Sequence, residues 1–295
     1  MMLKIFLMAV LAVLMGVQGA YAQSGISTDS KEPIEITADE TLEWHRNDLF
    51  FIARGAARAQ QGTSSVAGDL LTARYRKGAT SSMEIYSLSA EGSVVLTSED
   101  NVAYGSRADY DLDAGLAKLS GEGLKMVSPD QTITAQERFE YLVNDGRVNA
   151  LGRAKVTRPK VGGGVDTLEA DKISVLLKEN ASGKRVLHSL EAFGNVVIVT
   201  PTETVTGAYG IYRAGSNKAE LKGNVKIVRG PNVLEGERAE VDMSTNISKI
   251  FGAPTIAAPP VVSGGALTGS EAPAPSSGGR VRGVFYPSSE KKSAP

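Results

Sequence analysis

From Ala219 to Val228 the chain reads AELKGNVKIV, with Ala219, Leu221, Val225 and Ile227 on one side of a two-residue period. Lys222, Asn224 and Lys226 fall on the other side. Such alternation predicts a strand with one buried face. The pattern recurs around a central glycine as Leu49, Phe51, Ala53, Gly55, Ala57 and Ala59, and as Leu88, Ala90, Gly92, Val94 and Leu96. It returns as Val148, Ala150, Gly152, Ala154 and Val156, and as Leu190, Ala192, Gly194, Val196 and Ile198. A weaker copy, Ala117, Leu119 and Gly121, continues out of register as Leu124 and Met126. The central glycines recur about every 30 to 40 residues, the spacing of a repeated structural unit. Glycine weakens a strand and marks a bend, a bulge or a close approach. A row of them on the inward face predicts a crease.

A second strand type alternates with the first: ITADETLEW (Ile36–Trp44), YGSRADYDL (Tyr104–Leu112), ITAQERFEY (Ile133–Tyr141), LEADKISVL (Leu168–Leu176) and LEGERAEVDM (Leu234–Met243). In several of these the apolar parity flips just after a small residue, as where Leu234 and Gly236 give way to Ala239, Val241 and Met243. One extra residue at a repeated place predicts a bulge. Turn-rich pieces such as DAG (Asp113–Gly115), NDG (Asn144–Gly146) and AGSN (Ala214–Asn217) join the two types into antiparallel hairpins. No amphipathic helix stands out in the body. The expected architecture is all-β, more than a dozen bent antiparallel strands whose sheet folds over on itself.

The ends of the chain read differently. Lys4, the apolar run Ile5 to Val17 and the small-x-small AYA at Ala20–Ala22 have the form of an export signal. The run is short for a membrane-spanning helix, so cleavage is expected before Gln23, the rival reading being an uncleaved anchor. Residues 1–22 are thus read as signal, 23–32 as a flexible segment, 33–252 as one β body and 253–295 as a tail. Seven of the twelve prolines lie in that tail with SGG and SSGG, a composition that cannot bury enough apolar surface to order itself. Within it RVRGVFY (Arg280–Tyr286) is either a strand, a docking peptide or an incidental apolar island.

Without Lys4 the remaining basic residues nearly balance the acidic ones, from totals of 32 and 33. That balance argues against a phosphate-gripping nucleic-acid binder. There is no cysteine, so neither a disulfide nor thiol catalysis is available. The two histidines, His45 and His188, have no ligand spacing for a metal. No GxSxG elbow occurs, and GGG at Gly162–Gly164 lacks the context of a phosphate loop. Acidic pairs such as Asp39/Glu40 fall where a solvated sheet face explains them. No catalytic residue, metal site or cofactor is expected, and the pattern points to a binding protein. Its interior is either a dry core between two leaves or a space for a ligand.

PIEITADETLEW (Pro33–Trp44), FFIARGAARAQQG (Phe50–Gly62) and VAGDLLTARY (Val66–Tyr75) together resemble the start of the OstA-like, LptA family of lipopolysaccharide-transport proteins. Ala38 and Asp39, Gly55 and Ala57, and Asp69, Leu71 and Tyr75 match its pattern, with Gly68 where alanine is commoner. The GNV copies at Gly194–Val196 and Gly223–Val225 match its repeated strand. The resemblance implies a periplasmic bent antiparallel β-jellyroll whose apolar groove takes the acyl chains of lipopolysaccharide. The inward candidates for that groove are Leu49, Phe51, Val94, Leu96, Leu119, Val156, Val196, Ile198, Leu221, Val225 and Ile227. It further implies end-to-end strand association, with copies of itself and with LptC-like inner-membrane and LptD-like outer-membrane partners. An LptC-like anchored relative and a polysaccharide-acting β-solenoid enzyme remain the alternatives. Arg158 and Arg229 are either lipid-phosphate contacts or solvated edge charges.

Overall fold

The structure is a computed structural model that describes residues 34–253, apart from 79–82, 161–162, 182–184, 243 and 246, together with 280–285. The export signal, the segment 23–32 and most of the tail lie outside the described residues. In chain order the strands are β1 (Glu35–Thr37), β2 (Thr41–His45), β3 (Phe50–Gln61), β4 (Ser64–Lys77), β5 (Met83–Ser98) and β6 (Asn101–Asp111). Next come β7 (Leu116–Ser120), β8 (Lys125–Ser128), β9 (Gln131–Thr134), β10 (Arg138–Leu142), β11 (Arg147–Pro159) and β12 (Val165–Glu179). The last six are β13 (Arg185–Val199), β14 (Thr204–Arg213), β15 (Lys218–Arg229), β16 (Asn232–Asp242), β17 (Ile247–Phe251) and β18 (Arg282–Val284). All pair antiparallel in one sheet, so the all-β, bent, hairpin-built reading holds.

The long strands share a register break at the same height, and the β4/β5 and β12/β13 pairs carry a second one near their ends, at Arg74/Tyr75 and Leu176/Leu177. Register breaks between Arg54 and Ala57 of β3, Glu91 and Val94 of β5, Leu151 and Ala154 of β11, and Lys222 and Val225 of β15. At the same height β1 gives way to β2, β7 to β8 and β9 to β10. The bends divide the sheet into two leaves. Leaf one holds β2, β7, β10 and β17; leaf two holds β1, β8, β9 and β18; the longer strands from β3 to β6 and β11 to β16 contribute to both. Inward residues of both leaves, among them Ala53, Val94, Phe139, Ile173, Val196 and Val225, form a single apolar core.

The crease corrects the sequence reading in two ways. Gly223 is not on the inward face. Its φ is +79°, followed by Asn224 at +51°, and a Cβ there would lie 2.7 Å from the Cβ of exposed Ala208 on β14. An L-residue meets its own carbonyl in that conformation, so the position demands glycine by conformation. The glycines that do face inward belong to the second strand type, as at Gly105, whose Cβ would lie 2.8 Å from Leu119 Cδ1. The extra residue of each bulge also sits on the glycine strand: Gly223 and Asn224 stand opposite Glu237 alone. The glycine strand thereby keeps its parity while its neighbour flips.

Candidate functional site

The space between the leaves is where a binding protein of this architecture would hold its ligand. Val94, Leu119, Val156, Val196, Ile198, Leu221, Val225 and Ile227 are in the core, and Leu96 packs against it. Alternation puts them there: each is paired with an inward neighbour on the next strand, as Ile227 is with Val205 on one side and Leu234 on the other. Two candidates differ. Leu49 lies in the turn between β2 and β3 at φ +59°, where its carbonyl accepts from the Tyr75 amide. Phe51 sits at the open end of the interior, stacked on Trp44 with centroids 5.4 Å apart and tilted against Tyr75 at 5.3 Å. The Trp44 indole N–H donates to the Tyr75 hydroxyl at 2.8 Å, which fixes this aromatic cluster.

The leaves meet closely. A cavity of about 20 Å³ lies between them, lined by Leu168, Leu190, Val196, Ile198, Tyr212 and Leu221 among others. That is room for about one water molecule. Around Leu168, Val196, Ile198 and Leu221 the two leaves pack against each other, so an acyl chain reaching this part of the interior displaces leaf-to-leaf contacts.

The two edges of the interior differ. Leu42 and Trp44 on β2 are 59% and 46% exposed, whereas on β17 the inward Ile250, opposite Ala239, packs against the core, and the exposed Ile247, opposite Asp242, faces outward. Among the described residues β1 and β2 pair only with β3, and β17 and β18 only with β16.

The alternation reading missed a polar group at the far end of leaf two. Asp166 at the start of β12 and Glu203 just before β14 point inward and are 0% and 3% exposed. Their parity with Leu168 and Val205 is the signal that would have found them. Lys160 Nζ approaches Asp166 Oδ1 at 3.1 Å. Neither Glu203 oxygen has a hydrogen-bond partner among the described residues. Burial pushes the Glu203 carboxyl up to about 7, against the opposing pull of Arg229 and Lys160.

His45 is bound to Glu43 at 2.8 Å and stacked on Phe50, which accounts for it without a metal. The His45 contact, with Thr41 and Arg54, holds the Glu43 carboxyl below its ordinary range. Among the described residues no group of acidic or histidine side chains is arranged to hold a metal ion.

The model of the LptA/(LptD N-terminal domain) LPS transport protein family matches the chain twice, over residues 35–146 and 138–247. Among solved structures, LptH from Pseudomonas aeruginosa is similar, described as the LptA homologous periplasmic component of the conserved lipopolysaccharide transport device. It is 14% identical, the match covers 88% of this chain and 100% of that one, and the TM-score is 0.19, a likeness too loose to place any residue. No curated protein matches.

Proposed function

The chain belongs to the LptA/(LptD N-terminal domain) LPS transport protein family, and from that premise we propose that it is a non-enzymatic periplasmic carrier of lipopolysaccharide. The observation behind the reading is the apolar interior, to which strand after strand contributes inward aliphatic side chains and which ends at the N-terminal edge in exposed Leu42 and Trp44. Acyl chains take the place of leaf-to-leaf contacts as the leaves separate. Each buried methylene contributes about 0.8 kcal/mol, while parting the leaves costs packing at Val196, Ile198 and Leu221. The balance favours loading with exchange over irreversible capture. The open edges are where the protein meets copies of itself and related inner- and outer-membrane partners by strand addition.

Native mass spectrometry of protein purified without detergent from lipopolysaccharide-producing cells is the test. Bound lipid, and labelling of lipopolysaccharide by a photo-crosslinking residue at position 227, are expected. Absence of both overturns the reading. The same spectrum gives the mature N-terminus: a chain beginning at Gln23 fits a soluble carrier, an intact N-terminus the anchored relative.

A further inference from the structure

The tail segment β18 occupies a place that the fold fills elsewhere with local chain. On β6 the leaf-one neighbour is β7, with Arg107 opposite Ser120, and the leaf-two neighbour is β8, with Tyr104 opposite Lys125 and Val102 opposite Val127. On β16 the leaf-one neighbour is β17, with Arg238 opposite Phe251, and the leaf-two neighbour is β18, with Glu235 opposite Arg282 and Val233 opposite Val284. Counted from the bend glycines, Gly105 of β6 and Gly236 of β16, the two registers are identical. Lys125 and Arg282 occupy the same position, as do Val127 and Val284.

What differs is the connection. Four residues, 121–124, join β7 to β8, with Gly121 and Gly123 at φ +99° and +69°. Thirty residues, 252–281, separate β17 from β18. Gly252 stands where Gly121 does, but Pro254 stands where Gly123 does. Proline holds φ near −65°, so this sequence does not repeat the positive φ that Gly123 supplies between β7 and β8. The leaf-two place is taken from downstream instead, with an Arg282–Glu235 ion pair at 3.7 Å.

The interior of the molecule also shows what such a completed edge receives. The edge β7/β8 is paired by β10 and β9: Leu119 faces Phe139, Lys118 faces Glu140, and Met126 faces Ile133. The equivalent positions on the C-terminal edge are Ile250, Lys249 and Gly283, and on the N-terminal edge Leu42, Glu43 and Ile36. In both sets the leaf-one pair is apolar and the next pair is lysine with glutamate, Ile250 with Leu42 and Lys249 with Glu43; on leaf two Gly283 offers Ile36 backbone and room in place of the Met126 side chain. We propose that residues 282–284 are a strand donated by the tail to complete the C-terminal edge, so that a second copy of this chain adds its β1/β2 edge in the register of the internal β10/β9 seam. This rests on the end-to-end association of the preceding section and adds the segment and the register that make it.

The chain has no cysteine, so Leu42→Cys with Ile250→Cys reports the seam directly. Oxidation of the double variant is expected to give a disulfide-linked ladder, while Leu42→Cys with Lys249→Cys, one residue out of register, gives at least tenfold less. Truncation after Ala253, or proline at both 283 and 284 so that one falls on a ladder donor in either phase, is expected to weaken self-association by at least tenfold in sedimentation, with circular dichroism unchanged. Equal association of the full and truncated chains overturns the role of the tail strand alone. Tighter association of the truncated chain also overturns it, because β18 would then be a cap. A full chain that stays monomeric at millimolar concentration with no ladder sinks the end-to-end reading itself.

Discussion

Two lines run across the strands, the crease and the far rim of leaf two, and they are specified by opposite means. At the crease the chain uses backbone: glycines at φ from +71° to +80° on β3, β5, β11, β13 and β15, each followed by a second residue of positive φ. Small inward residues such as Gly105 and Gly207 on the intervening strands leave room for the facing side chains. At the rim the chain uses polarity on an inward face, Asp166 and Glu203 replacing the aliphatic residues that the same parity gives elsewhere. The crease is a place where local conformation and packing agree. The rim is a place where burial and charge oppose one another, which is how a structure stores sensitivity to pH.

Breaking the crease has the largest expected effect. Gly223→Val places a β-branched side chain at φ +79°, with its Cβ 2.7 Å from that of Ala208. Strain and contact together cost about 2–4 kcal/mol, read as a lower denaturant midpoint at unchanged m-value. Adding Ala208→Gly relieves the contact and leaves the strain, so partial recovery is expected. Full recovery would mean that space, not conformation, calls for the glycine.

The rim is probed by pH. With its native pKa at about 7 and an ordinary value of 4.5, Glu203 keeps a proton in the folded chain that the unfolded chain has lost. Between those values the native state binds more protons, so stability falls as pH rises through the window and levels off above it. Glu203→Gln removes that slope. The variant is expected to match the wild type near pH 4.5 and to exceed it at pH 8 by up to about 3 kcal/mol, measured as a difference in thermal midpoint. An equal gain at both pH values would show that the carboxylate is not the cause.

Alternation made the strands legible because parity and burial are the same fact in a one-sided sheet. Val94, Val196 and Val225 went to the core for that reason. Leu49 did not, because its positive φ belongs to the last residue of the turn that precedes the strand. The bend glycines were placed on the wrong face because, at positive φ, the Cβ direction departs from the pleat, and no side chain exists to reveal it. Asp166 and Glu203 were passed over because one polar residue beside a turn resembles the turn. RVRGVFY could be read as a strand, yet its partner β16 lies far back in the chain, and periodicity within a segment says nothing about the segment it joins.

The smallest effect sharpens the comparison most within the crease itself. Gly207 on β14 lies at the same height as Gly223 and next to it, but its φ is not in the left-handed region, and a Cβ there would be 3.3 Å from Leu221 Cδ2. The Lys222 carbonyl oxygen lies at the same 3.3 Å; the side-chain end can shift by a few tenths of an ångström, the backbone less readily. Against that stands the entropy the unfolded chain loses when glycine becomes alanine, a gain of about 0.4–1 kcal/mol where the native conformation suits the new residue. Gly207→Ala is therefore expected to change stability by less than about 1 kcal/mol, in either direction, while Gly223→Ala lowers it by about 1–2 kcal/mol. Both are read in the same denaturation series. If the two alanines cost the same, the distinction between glycines that supply conformation and glycines that supply room does not hold at the crease.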